Sequence, residues 1–184
     1  LVPGAALPYP PRAMLVRHDD HFPDVDPSAW VHASAHVIGR AVVGPASSVW
    51  FGCVVRADIH DIRIGRCSNL QDLTVVHVTR DRFPTVIGDE VTIGHRAVVH
   101  GCVIGDRCLV GIGAIVLDGV EIAPESMVAA GALVAPGTKI PSGVVVMGQP
   151  ARIARDLRPQ ELDHIRRTAR HYADYAASYR SQGI

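Results

Sequence analysis

Three histidines, His77, His95 and His100, are the residues of this sequence whose spacing suggests chemistry. His77 follows Val76 by one position and His100 follows Val99 by one, and both valines belong to a run of aliphatic residues recurring every six positions. The two histidines are 23 residues apart, one 18-residue coil of three hexapeptides plus five. They are therefore expected to stack on one edge of a coiled chain, about one strand spacing of 4.8 Å apart. His95 lies two positions after Ile93, one hexapeptide earlier, and falls on a different edge. It cannot reach an ion held by the other two within one chain. In a threefold assembly, the edge of one chain meets a different edge of its neighbour, so His95 of the next chain would complete the site. Three neutral imidazoles with a fourth position left open are the ligand set of a catalytic zinc rather than a structural one.

Polar residues near these histidines define the rest of the candidate site. Arg56, one position after the aliphatic Val55, is followed by Asp58. Such a pair is either a brace at a subunit contact or, through the guanidinium, a holder for an anion such as bicarbonate. Asn69, Gln71 and Asp72 surround Leu70. Gln71 shares the one-after offset and is expected to protrude near the metal edge, where its amide can hydrogen-bond a ligand. Asp72 is either an orienting partner for a metal-binding imidazole or, with Asn69, a turn cap.

The elements that must position these groups follow from the repeat. Aliphatic residues run at six-residue intervals through Val25, Val31, Val37, Val43, Val49 and Val55, then Ile64, Leu70 and Val76, then Ile87, Ile93 and Val99. A last run holds the frame from Ile104 through Val110, Val116, Ile122, Val128, Val134 and Ile140 to Val146. Neither a helix, with its period near 3.6, nor an alternating strand explains a strict six with glycine often following the aliphatic residue. A triangular β-solenoid does: each hexapeptide gives one short strand and one corner, and each aliphatic residue points inward. Twenty such positions make about seven coils, a prism roughly 34 Å tall at a 4.8 Å spacing.

The frame slips between Val55 and Ile64, between Val76 and Ile87, and by one residue between Val99 and Ile104. These are expected loops, with residues 78–85 the expected excursion from the prism. After Gly148-Gln149-Pro150, a helical face of Leu162, Ile165, Ala169, Tyr172, Ala173, Ala176 and Tyr179 predicts a packing helix with Pro159 in its first turn. The organisation expected is an extended arm over residues 1–23, the repeat over 24–149 and a helical segment over 150–184.

Composition excludes several classes. Lys plus Arg and Asp plus Glu are both 18 in 184 residues, with no long run of one sign, which argues against nucleic acid and anionic membrane as partners. No apolar stretch approaches the roughly 20 residues that span a bilayer. Residues 1–10 lack the features of a secretory signal. Cys53, Cys67, Cys102 and Cys108 show no CxxC spacing and read as small hydrophobes of a reducing, cytoplasmic setting.

These residues resemble the gamma-class carbonic anhydrases. The resemblance rests on Arg56-Ala57-Asp58, Ser68-Asn69-Leu70-Gln71-Asp72, Val75-Val76-His77, Ile93-Gly94-His95, Val98-Val99-His100-Gly101 and Gly148-Gln149-Pro150-Ala151. It implies an all-β solenoid, a homotrimeric left-handed parallel β-helix of hexapeptide repeats with a C-terminal helix. The left hand departs from the usual crossover rule. It implies a lyase that hydrates carbon dioxide reversibly to bicarbonate by a metal-bound hydroxide at the trimer interface. Zinc, or iron or cobalt, would be bound by His77 and His100 of one chain and His95 of the next. Arg56 and Asp58 would then sit at the trimer contact, with Asn69, Gln71 and Asp72 lining the site.

The sequence departs from the archetype at two places. Ile59 stands where a glutamate follows the Arg-x-Asp string, and Val78, Thr79 and Arg80 replace the acidic loop that carries a proton-shuttling glutamate. His60, Asp61 or a C-terminal tyrosine such as Tyr172 are the candidate substitutes for that shuttle. Metal-dependent thioester hydrolysis, a non-catalytic trimeric binding or assembly role, and hexapeptide acyl transfer are the alternatives.

Overall fold

The protein, described here from a computed structural model covering residues 14–184, is a parallel β-solenoid of about seven turns closed by one C-terminal helix. The first face stacks His36–Val43 and Val54–Ile64 through their N-terminal halves, then Val75–His77, Val98–His100, Ile115–Val116 and Leu133–Val134. The second face continues those two long strands through their C-terminal halves and adds Thr85–Ile87, Val103–Ile104, Glu121–Ile122 and Lys139–Ile140. The third runs from Trp30–Val31 through Ser48–Val49, Asn69–Leu70, Thr92–Ile93, Leu109–Val110 and Met127–Val128 to Val144–Gly148.

The six-residue pattern predicts the core. Val55, Val76, Val99, Val116 and Val134 rise in register up the first face and are all fully buried. β-Branched side chains suit these short flat strands because each packs on its own kind one coil away. Of the twenty inward positions, only Val25 and Val31, in the first coil, are half-buried, and both still pack on the core.

The three slips resolve differently from a set of loops. Between Val55 and Ile64 the chain is a single strand, Val54–Ile64, that turns the corner; its pairing passes from Gly39↔Ala57 to Ala41↔Ile62, so residues 58–61 bulge at that corner. The excursion expected over residues 78–85 is narrower. Val78 and Thr85 are buried, and only residues 79–83 leave the prism, closed by paired backbone hydrogen bonds between Thr79 and Phe83. The third slip is a corner tightened at Gly101, whose φ of +55° is left-handed.

The end of the repeat also differs from the expected passage straight into helix. Ala151–Asp156 turns back as an antiparallel strand on Val144–Gly148 before the helix α1, Pro159–Ser181. Pro159 is its first residue, and the Glu161 carboxylate accepts the Arg158 amide at 2.9 Å. Ile165, Ala169 and Ala176 are buried against the third face, and the Trp50 ring meets Tyr172 and Tyr179 at 5.1 and 5.3 Å. Among the described residues no helix is long and apolar enough to cross a membrane. Met14–Val16 pairs in parallel with His36–Val43, and the expectations for residues 1–13 lie outside the described residues.

Candidate metal centre

His77 and His100 close two neighbouring strands in register at the corner between the first and second faces. His77 Nδ1 lies 3.0 Å from His100 Nε2, with the ring centroids 5.0 Å apart. The other nitrogen of each ring is engaged by a carboxylate. His77 Nε2 is 3.0 Å from Asp58 Oδ1, and His100 Nδ1 is 2.6 Å from Asp118 Oδ1. Asp58 also pairs with Arg56, whose Nη2 lies 3.4 Å from His77 Nδ1. The bulge at residues 58–61 is what brings Asp58 to this corner.

The electrostatics favour ionised carboxylates and a neutral His77. Burial opposes the charge on both aspartates, but hydrogen bonds from His77 and Arg56 hold Asp58 below the usual range, and those from His100 and Thr79 do the same for Asp118. His77 is lowered by desolvation, which with the Arg56 charge outweighs Asp58.

Each neutral imidazole that gives its one N–H to a carboxylate keeps a bare lone pair on its other nitrogen. His77 Nδ1 and His100 Nε2 are the ring nitrogens left facing one another, 3.0 Å apart, with the Arg56 guanidinium at the edge of the pair. Such a pair fits a cation. Two nitrogens on a tetrahedral zinc with bonds of about 2.0–2.1 Å are roughly 3.3 Å apart, close to the 3.0 Å observed.

His95 sits at the corner between the third and first faces, with Nδ1 2.6 Å from Asp72 Oδ2 and a side chain 38% exposed. The first face separates it from His100, a span of roughly 16 Å at strand rise. Among the described residues no three His, Cys, Asp or Glu side chains converge on one point. Two imidazoles at one corner and one at another are what a single chain provides.

Gln71 is placed differently from the expectation. It lies at the His95 corner, not the His77 corner, because the one-after offset recurs at every corner and one hexapeptide moves the chain to the next. Its side chain is nearly buried; Nε2 donates to Asn69 Oδ1 at 3.3 Å, and Asn69 Nδ2 donates to Thr92 Oγ1 at 2.9 Å. Asn69, Gln71 and Asp72 thus group with His95, and Arg56 and Asp58 with His77 and His100. His60 is turned back on the bulge, its Nδ1 accepting the Asp61 amide at 2.7 Å. Tyr172 lines a cavity of about 330 Å³ with Trp50, Phe51, Asp72 and Tyr175, and burial, aided by Asp72, raises its phenol.

Asp118 was not among the residues the sequence singled out. Its signal was present: it follows His100 by 18 residues, one coil.

Residues 101–136 match the family model described as bacterial transferase hexapeptide (six repeats), and residues 84–117 match hexapeptide repeat of succinyl-transferase. The chain is 45% identical over 168 residues to gamma carbonic anhydrase 2, mitochondrial, of Arabidopsis thaliana, covering 89% of this chain but only 60% of that protein. It is 42% identical to gamma carbonic anhydrase 3, mitochondrial, of the same plant, covering 93% of this chain and 70% of that protein. A solved structure of a hexapeptide transferase family protein from Anaplasma phagocytophilum superposes with a TM-score of 0.87 at 36% identity, covering 90% and 98% of the two chains. With a hexapeptide solenoid, paired histidines at one corner and this degree of identity, the chain belongs to the gamma-class carbonic anhydrase family.

Proposed function

We propose that the protein is a lyase that hydrates carbon dioxide reversibly at a zinc ion held between subunits of a homotrimer, by His77 and His100 of one chain and His95 of the next. The observation that carries the reading is the pair of ring nitrogens, His77 Nδ1 and His100 Nε2, turned to one point 3.0 Å apart while carboxylates engage their other ring positions. Iron or cobalt would suit the same imidazoles. The ion supplies Lewis acidity, which lets water give up a proton near neutral pH.

The chain's own residues do the rest. Asp58 and Asp118 fix the rings, and Asp72 does the same for His95. Arg56, 44% exposed and beside His77, offers a guanidinium to the bicarbonate anion. The nearly buried Gln71 is held by Asn69 on the His95 side, where its amide orients a reacting oxygen. Val78 is turned into the core, so the residue after His77 contributes no base to the site.

Thioester hydrolysis is the second reading, favoured by one feature. A cavity of about 360 Å³ runs between the third face and α1, lined by Leu109, Ile112, Met127, His164 and, at the His95 corner, Gln71 and Gly94. That volume accommodates a short acyl chain, which carbon dioxide does not need.

Subunit complementation tests the shared site. His77→Ala and His95→Ala trimers should each bind no zinc. Refolded together at equal amounts, they should recover roughly one quarter of a zinc per chain, because each mixed trimer has one interface with all three histidines intact. No recovery on mixing, or full zinc in the His95→Ala trimer, contradicts the interface site.

A further inference from the structure

The excursion after His77 returns to the same corner through three side chains. Thr79 Oγ1 donates to Asp118 Oδ2 at 2.8 Å, while Asp118 Oδ1 accepts from His100 Nδ1 at 2.6 Å. Thr85 Oγ1 donates to the His77 carbonyl at 2.6 Å and accepts the Gly101 amide at 2.9 Å, so one buried hydroxyl joins the backbones behind both histidines. Phe83 closes the set against Gly101 and Gly119, where added Cβ atoms would lie 2.9 and 3.2 Å from it.

An aspartate before a glycine, as in Asp118-Gly119, usually serves the backbone of a turn. At the neighbouring corner, aspartates that follow a glycine serve the backbone of an adjoining coil: Asp89 Oδ1 accepts the Arg66 amide and Asp106 Oδ1 the Asp89 amide, each at 2.9 Å, while Asp89 Oδ2 accepts Arg66 Nε at 3.0 Å. Asp118 is spent differently. Its two oxygens go to two side chains from other parts of the solenoid, an imidazole and a hydroxyl.

We propose that Asp118, held by Thr79, is a positioning residue that keeps the His100 proton on Nδ1 and so presents a bare Nε2 toward His77. The residues that replace an acidic loop in this chain thereby anchor the ring geometry of the corner. The proposal builds on the reading of His77 and His100 as metal ligands, but its primary measurement needs no metal.

The test uses metal-free, full-length protein labelled with nitrogen-15 at histidine, in which long-range proton–nitrogen spectra identify the tautomer of His100. The wild type should carry the proton on Nδ1. Asp118→Ala should shift the population toward the Nε2–H form, whereas Asp118→Asn, whose amide oxygen still accepts, should retain Nδ1–H. Thr79→Val should loosen the preference and Thr79→Ser restore it. In parallel, zinc affinity measured by chelator competition should fall roughly 10–100-fold in Asp118→Ala, as for other partners of metal-binding histidines. Should Asp118→Ala fail to fold, Asp118→Asn and Thr79→Val carry the comparison. A wild-type His100 protonated on Nε2, an unchanged tautomer in Asp118→Ala, or zinc affinity within twofold of wild type overturns the proposal. Wild-type protein that shows the Nδ1–H tautomer yet binds no zinc defeats the metal reading and leaves the positioning role standing.

Discussion

Gly101→Ala should disturb the corner that carries His77 and His100 without altering either histidine, and Gly113→Ala supplies its control. Both glycines have left-handed backbones, with φ of +55° and +66°. A Cβ on Gly113 meets nothing within 4 Å, so that substitution costs only the conformational penalty, about 1–2 kcal/mol for an L-residue. A Cβ on Gly101 would lie 2.4 Å from Asp118 Oδ1 and 2.9 Å from Phe83 Cβ. The carboxylate must swing away and give up His100. A hydrogen bond to a charged group is worth about 1.5–3 kcal/mol, and this half-exposed one belongs at or below the lower end. Gly101→Ala should therefore cost about 2–3.5 kcal/mol in all, exceeding the control by about 1–1.5 kcal/mol. Urea unfolding of metal-free protein followed by circular dichroism, with the slopes checked for equality, gives both values. Zinc competition should show weakened binding for Gly101→Ala alone. Equal stability losses with equal zinc affinities would refute the claim that Asp118 and Phe83 close this corner.

Other parts of the molecule give sharper or simpler expectations. Ile93 is fully buried between Leu70 and Val110, so Ile93→Ala should lose about 2–5 kcal/mol and Ile93→Val about 0.5–1.5 kcal/mol in the same unfolding assay. Hydrogen bonds from Arg155 and the Arg158 amide hold Glu161 down to about 2 from an ordinary 4.5. Because the folded value is depressed, its contribution is complete above pH 4.5 and is lost as pH falls toward 2; Glu161→Gln should flatten that part of the melting-temperature profile, and an unchanged profile counts against the pairing. Burial pushes the thiols of Cys53 and Cys102 up to about 12 and that of Cys108 up to about 11. Native protein at pH 8 should therefore offer a disulfide reagent one fast thiol at most, the partly exposed Cys67, and all four after unfolding; three fast thiols would show that the coils open readily.

The repeat was legible because every sixth side chain must fill the interior, and a polar residue there would leave a buried group unpaired. Other features were hidden for physical reasons. Asp58 to Asp61 keep a strand-like backbone while bulging, so the slip after Val55 resembled a loop. Gln71 carried the same offset as His77, yet an offset marks a position within a hexapeptide and not which of three corners it occupies. The returning strand Ala151–Asp156 carries no inward alternation, because Arg152, Ile153, Ala154 and Asp156 all face solvent, so nothing set it apart from the segment leading to the helix. Asp118 looked like any aspartate before a glycine, and only the stacking of one coil on the next gives it His100 as a partner.

The most direct measurement combines elemental analysis with a stopped-flow assay of carbon dioxide hydration on one freshly purified, zinc-replete sample. One zinc per chain, three per trimer, with rapid hydration is the expected result, both abolished in His95→Ala while the far-ultraviolet spectrum of the coils is retained. Zinc at that stoichiometry without hydration would contradict the proposed reaction and favour thioester hydrolysis, and a trimer that binds no zinc would contradict the metal centre itself.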